Sequence, residues 1–350
     1  MIKITYKLIL LLGLLAMTVT SFAASEAEYG KVSKAWTLHA DGSQEYRSSI
    51  ELTLFTHTAM NSTYGESFIV YNPDFQTLKI HSSYTRQKDG TIVKTPDNAF
   101  VEVLPRFAAD APAYNQLKEM VVVHTGLELG ATIYLDYSII TKPGYYPALD
   151  INERLQETSP VKECKVSISV PEGTPLACGL YGSPVKAVEE SHDGIKEVHW
   201  TLRNIPASSR EAFQPKNREA SPHLVASTYP SGKAALATLD KRLKESQGYE
   251  SKTFAQFLTD KSGNEQEKVN IIRDHILNNL STCPIPMAMT GYTVRDIDTV
   301  LRSAYGTPLE IAQLLNVMLN AAGIPSEVLA VYPGPVSYTH LRAHETDSYL

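Results

Sequence analysis

Three cysteines carry whatever thiol chemistry is open to this chain: Cys164, Cys178 and Cys283. A thiol attacks as the thiolate, which the unpaired N–H groups of a helix N-terminus stabilise, and it needs a histidine base with a carboxylate to orient it. Cys283 has the opposite placing. It follows a helical pattern ending near Leu280 and precedes Pro284. The negative end of a helix raises a thiol's pKa, so Cys283 is read as structural. Cys164 and Cys178 flank Pro171-Glu172-Gly173-Thr174-Pro175, where a disulfide across adjacent strands and two small buried thiols both fit. His275, beside Arg273, Asp274 and Ile276, is read as a solvated residue on a helix flank. No set of His, Cys, Asp and Glu has a metal-ligand or cofactor spacing. Catalytic, cofactor-binding and metal residues are therefore each predicted as none.

The element best able to position chemistry runs from Tyr305 to Ile324. Thr307 suits the N-cap, Pro308 the first helical position, and Glu310, three residues after the cap, completes a capping box. Gly323 suits the left-handed position after the helix, and Pro325 stops it from resuming. Only Gln313, Asn316 and Asn320 interrupt the apolar circumference, so this helix is expected to be a domain core. Its N-terminus is where the unpaired N–H groups and the dipole would stabilise an anion.

Around this helix the chain divides by period. From Lys31 to about Arg203 the pattern alternates, broken by turn signals such as Asp41-Gly42 and Asp89-Gly90, and predicts many short antiparallel strands in a β-sandwich. One face of such a strand carries Tyr46, Ser48, Ile50, Leu52 and Leu54. Glu119 to His124 and Thr132 to Ile140 are expected to pair around Gly126-Leu127-Glu128-Leu129-Gly130. The nineteen tyrosines, Tyr145-Tyr146 above all, suggest a carbohydrate platform, but tyrosine is also a good strand residue and that plainer reading is preferred. Pro206, Pro215, Pro222 and Pro230 mark residues 204–232 as a linker. Helical spacing then predicts helices over Lys233–Gln247, over Glu265–Leu280 and from a Thr293 cap through Arg302, before a strand over Glu327–Tyr332.

The N-terminus reads as an address. Lys3 and Lys7 precede the apolar run Leu8 to Met17, and Ser21-Phe22-Ala23 supplies small residues for cleavage after Ala23. That run is shorter than the ~20 residues a membrane span requires. The remaining chain is expected to be soluble and exported, without a membrane span. A net charge of −6 with no basic stripe gives nucleic-acid binding no support.

Two stretches resemble known bacterial families. Asp41-Gly42-Ser43, Tyr71-Asn72-Pro73, Lys88-Asp89-Gly90, Ala111-Pro112-Ala113-Tyr114 and the Gly126–Gly130 loop together resemble an uncharacterised exported β-domain of Bacteroidota-type bacteria. That domain commonly precedes a transglutaminase-like core, and Glu265 to Tyr332 resembles the first half of one, through Gly306, Ala312, Leu314-Leu315 and Ala322-Gly323-Ile324. In active members a Gly-Asp-Cys-Lys-Asp type sequence opens the central helix. Here Thr307, Pro308 and Leu309 stand where Asp, Cys and Lys are usual, so the resemblance implies a scaffold without its nucleophile. Residues 336–350 resemble the translation of a sequencing-library adapter, and His340, His344, Glu345 and Asp347 are given no role. The natural protein is expected to continue beyond Pro335.

The organisation expected is a signal peptide over 1–23, a β-sandwich over 24–203, a linker over 204–232, a partial α+β transglutaminase-like domain over 233–335, and an artefact over 336–350. The function implied is a periplasmic pseudoenzyme of a Gram-negative bacterium that binds a peptide, glycan or envelope protein. Two alternatives accompany it: an active cysteine-dependent acyl transferase or peptidase with residues outside this fragment, and a structural envelope module.

Overall fold

Period-two patterning sends alternate side chains to opposite faces of a strand, and this decides most of the architecture. The computed structural model describes residues 25–208, 221–244 and 248–329. In chain order the first strands are β1 (Ala27–Leu38), β2 (Gln44–Leu54), β3 (Glu66–Tyr71), β4 (Gln76–Arg86), β5 (Ile92–Lys94), β6 (Phe100–Val103) and β7 (Lys118–Val123). They are followed by β8 (Thr132–Thr141), β9 (Asp150–Arg154), β10 (Val161–Pro171), β11 (Ala177–Tyr181), β12 (Val188–His192), β13 (Ile195–Ile205) and β14 (His223–Ser227). Helices α1 (Gly232–Lys244), α2 (Tyr249–Thr259), α3 (Glu265–Asn279), α4 (Ile297–Ser303) and α5 (Pro308–Ala321) come last, with a short parallel pair, β15 (Ser281–Thr282) and β16 (Tyr305–Gly306), among them. The fold is mainly β, with a few C-terminal helices.

A large sheet runs β12-β13-β10-β1-β2-β8-β4-β5, and two small ones run β11-β14-β9 and β3-β7-β6. Val32 lies beside Ile50, Ile50 beside Leu135 and Leu52 beside Ile133, so these side chains share one face of the large sheet. Toward the β10–β1 side that face packs on Leu149, Ile151, Leu155, Leu224 and Ala226 of the β11-β14-β9 layer. Toward the β4–β8 side it packs on Ile69 and Val122 of the other small sheet. Both small sheets therefore cover the same face, side by side. That geometry creates a gap between them.

The helices form a separate apolar cluster in which Leu314 and Met318 of α5 are fully buried among Ala255, Ile272, Ile297 and Val300. Both ends of α5 follow the sequence signals. Thr307 and Glu310 complete the capping box. Ile324 N–H donates to Leu319 O at 2.9 Å and Gly323 N–H to Asn320 O at 3.1 Å, a Schellman ending with Gly323 at φ +84°.

Several expectations are corrected. The strands are not all antiparallel, because β1 and β10 pair in parallel. β7 and β8 do not pair with each other; β7 lies between β3 and β6, while β8 lies between β2 and β4. The Gly126–Gly130 loop thus crosses between layers, and Val122 and Leu135 meet across them. β14 falls inside the stretch read as linker, where it joins β9 and β11. α2 was not predicted, because Tyr249 and Phe257 put exposed rings on what would be its polar side. α4 is capped by Asp296 rather than Thr293, its carboxylate accepting from Thr299 N–H at 3.1 Å. Residues 327–329 are not a strand. Of the two readings open for Cys164 and Cys178, the free thiols hold, and the pair lies on different sheets. The signal peptide with its Ala23 cleavage point and the tail with His340, His344, Glu345 and Asp347 lie outside the described residues.

Candidate functional site

Glu310 enters α5 as a capping residue and ends as the centre of a buried charge cluster. Its side chain is 0% exposed. Thr307 N–H donates to Oε2 at 2.8 Å, the capping-box half expected from sequence. Arg295 then grips both oxygens, Nε to Oε1 and Nη2 to Oε2, each at 3.1 Å, while its backbone N–H donates to Oε1 at 2.8 Å. Tyr114, far away in the chain, donates its hydroxyl to Oε1 at 2.9 Å. The Arg295 guanidinium also donates to Tyr305 O at 2.7 Å and lies 4.5 Å from the Tyr305 ring centroid.

Burial alone would raise the Glu310 carboxyl, but Arg295 and the backbone N–H groups of Thr307 and Arg295 outweigh it and hold the group below its ordinary value. Burial opposes the charge on Arg295 as well, and Glu310 restores it. The Tyr114 phenol is pushed up by burial and then by the Glu310 charge. Glu310 is thus a fully paired carboxylate, which makes it a clamp and leaves it no proton to trade.

No thiol stands at this helix end. Thr307 is buried as the cap, Pro308 is exposed at the first helical position, and Leu309 is partly buried. Cys283 lies nearby, where its backbone N–H donates to Gly306 O at 2.8 Å and its side chain packs with Ala108, Ala111, Tyr114, Leu117 and Ile285. Its pKa is raised, as expected, but the leading cause is burial, followed by the Glu310 charge, and not a helix C-terminus. His275 lies on the helix flank, partly covered edge-on by Phe254 with centroids 4.9 Å apart, and burial lowers its pKa. Among the described residues no cluster of His, Cys, Asp and Glu could hold a metal ion.

A second feature lies where the small sheets leave their gap. A cleft of about 410 Å³ is floored by Trp36, Tyr46 and Tyr137 of the large sheet and walled by Phe68–Val70 of β3 and by Asp150 and Glu153 of β9. Ala288, Met289 and Tyr292 reach it from the helical part. Tyr145 fixes that reach: it is buried, stacked on Phe75 at 4.5 Å, and donates its hydroxyl to Met289 O at 2.8 Å. Gly291, at φ +60°, fits because a Cβ there would come within 2.6 Å of the Tyr145 ring. Tyr145 is therefore an anchor, whereas Tyr146 lines the cleft and accepts from Gln76 Nε2 at 3.2 Å.

Two carboxylates reach the cleft. Glu45, beside Tyr46 in sequence, points instead to the far face of the large sheet, where it accepts from the Ser138 hydroxyl at 2.6 Å. Glu153 pairs at 2.6 Å with Lys34, which also reaches Glu157 at 3.1 Å. Asp150 has its pKa raised by burial, against a bond from Ser227. The cleft is aromatic and acidic.

Sequence reasoning reached Thr307, Pro308 and Glu310 but missed Arg295, Tyr114 and every cleft residue except Tyr146. Tyr114 stood in the Ala111–Tyr114 motif with no role attached. Lys34 left a signal, being a lysine in register with inward-facing Val32 and Trp36. Arg295 left none, because its partner lies across a helix start.

An M1 zinc metallopeptidase from Deinococcus radiodurans has a TM-score of 0.28 to this chain at 10% sequence identity, over 57% of this chain and 42% of that one. A likeness that weak carries no argument. No curated protein matches. The crystal structure of a candidate protease from Parabacteroides distasonis ATCC 8503 matches with a TM-score of 0.86 at 99% identity, covering 89% of this chain and 62% of that one. The chain thus spans less than two thirds of that protein's length. Residues 40–209, which hold most of the β-layers and the floor of the cleft apart from Trp36, match DUF3857, a domain of unknown function with solved structures.

Proposed function

We propose that this is an exported, non-catalytic protein of transglutaminase-like ancestry that binds a peptide, glycan or protein partner in the periplasm. The observation that carries the reading is the start of α5. There the frame Gly306, Ala312, Leu314-Leu315 and Ala322-Gly323-Ile324 surrounds an exposed Pro308 and a carboxylate locked to Arg295. A nucleophile placed there would gain from the helix dipole, and proline has none. Export rests on the Lys3–Ala23 pattern.

A second reading, an active peptidase, is favoured by the description of the 99% identical Parabacteroides distasonis protein as a candidate protease. It requires a nucleophile other than position 308. The deciding experiment incubates the purified chain with peptide substrates, with and without iodoacetamide, beside a Cys283→Ala variant. No turnover in any arm is expected. Turnover abolished by both alkylation and Cys283→Ala would overturn the non-catalytic reading. N-terminal mass analysis of the periplasmic fraction should find a chain beginning at Ala24.

A further inference from the structure

The wall of the cleft formed by β3 is an open sheet edge. Among the described residues β3 has one sheet neighbour, β7. The register Glu66↔Val123 through Tyr71↔Lys118, together with His124 N–H donating to Gly65 O at 2.9 Å, fixes which main-chain groups face β7. They are those of Ser67, Ile69 and Tyr71, so the N–H and C=O groups of Phe68 and Val70 point to the free edge. Sheet edges are ordinarily blunted by proline, lysine or a bulge, because unpaired edges recruit other chains. Glu66-Ser67-Phe68-Ile69-Val70-Tyr71 has none of these and pairs with β7 without a bulge. Phe68 even leaves 59% of its surface exposed beside the cleft.

The opposite wall adds charge. Asp150 and Glu153 face the cleft, while the cation beneath, Lys34, is held between Glu153 and Glu157. Aromatic rings with carboxylates and no free cation among the lining residues suit a basic side chain, whose stem packs on the rings and whose head reaches the acids.

We propose that the cleft takes an extended peptide segment that pairs main chain to main chain with the free edge of β3 and places a lysine or arginine against Asp150 and Glu153. This is strand addition, with main-chain bonds giving affinity and the acidic wall giving selection. It stands independently of the reading of α5, since the cleft neither needs nor excludes a nucleophile at residue 308.

The test uses the full chain and an array of fluorescent octapeptides with alternating valine and threonine and each of the twenty residues at one central position. Lysine and arginine peptides should bind at least ten-fold tighter than the glutamate peptide, and the preference should shrink as salt rises. N-methylation of alternate peptide amides should abolish binding. Val70→Pro, which removes an edge N–H and spares the β7 bonds, should weaken it at least ten-fold. Asp150→Asn, which leaves the Lys34–Glu153 pair intact, should cut the preference for lysine over glutamine at least three-fold while leaving the fold, followed by circular dichroism, unchanged. No binding by any basic peptide, or binding indifferent to N-methylation, would overturn the proposal. So would binding of a cello- or chito-oligosaccharide probe in the cleft in place of the peptides.

Discussion

Glu310 is at once the capping partner of Thr307 and the buried counter-ion of Arg295. Its capping role is local, set by a spacing of three from Thr307, whereas its partners Arg295 and Tyr114 come from elsewhere. Removing one member of a buried ion pair strands the other, at a cost of about 3–5 kcal/mol. Glu310→Gln should therefore lower urea-denaturation stability by that order, well beyond a lost cap. Tyr114→Phe removes one hydrogen bond to a charged group and should cost about 1.5–3 kcal/mol. The same measurement made against pH tests His124, which is buried, shares a 2.8 Å contact with Ser67 Oγ and has its pKa pushed down by burial to about 4 from 6.5. Between those values the unfolded chain binds more protons than the folded one, so stability is complete above about pH 6.5 and falls as pH drops toward 4. The loss is ~3 kcal/mol for a shift of that size. The lowered Glu310 carboxyl acts in the same direction at more acidic pH, its contribution being lost as pH falls through its folded value. His124→Gln should flatten the curve between pH 4 and 6.5 and leave the more acidic limb; an unchanged curve would show that His124 is not the titrating group.

At the scale of elements, what was legible in the sequence was local. The ends of α5, the Asn264 start of α3 and the Asp89-Gly90 hairpin are each written within a few residues, by caps and turn chemistry. What was not legible was partnership. Period two places Val122 and Leu135 inward but cannot say that β7 and β8 belong to facing layers. Nor can proline content reveal that β14 completes a sheet begun seventy residues earlier by β9. The cleft depends on those partnerships, so it was invisible, whereas the capping box around Pro308 was visible because it depends on one helix end. That end makes its own prediction. Thr307→Ala should cost ~1 kcal/mol through the cap. Pro308→Cys should create a thiol that iodoacetamide alkylates faster than Cys283, since the first turn of α5 stabilises a thiolate while burial disfavours one at Cys283. Equal rates at the two positions would show that this helix end does not stabilise a thiolate.

The whole molecule is held together by tyrosines that cross from β-layers to helices. Tyr114 reaches Glu310, Tyr145 reaches Met289 O, and Tyr305 accepts from Ala113 N–H at 2.7 Å. Between these bonds Ala108, Ala111 and Leu117 share an apolar cluster with Cys283 and Ile285. The helical cluster is small, so its stability should depend on this junction, and folding should be one cooperative event. Both tryptophans, Trp36 and Trp200, lie in the β-layers, so their fluorescence reports that part, while ellipticity at the helical band reports the rest. In the parent protein the two urea transitions should coincide. In a Tyr114→Phe, Tyr145→Phe double variant the helical signal should be lost at lower urea than the tryptophan signal. Separate transitions in the parent, or transitions that still coincide in the variant, would mean that these tyrosines are not what couples the two parts. The roof of the cleft would then have to be held by the Tyr146–Tyr292 contact, whose rings meet edge to face at 6.2 Å.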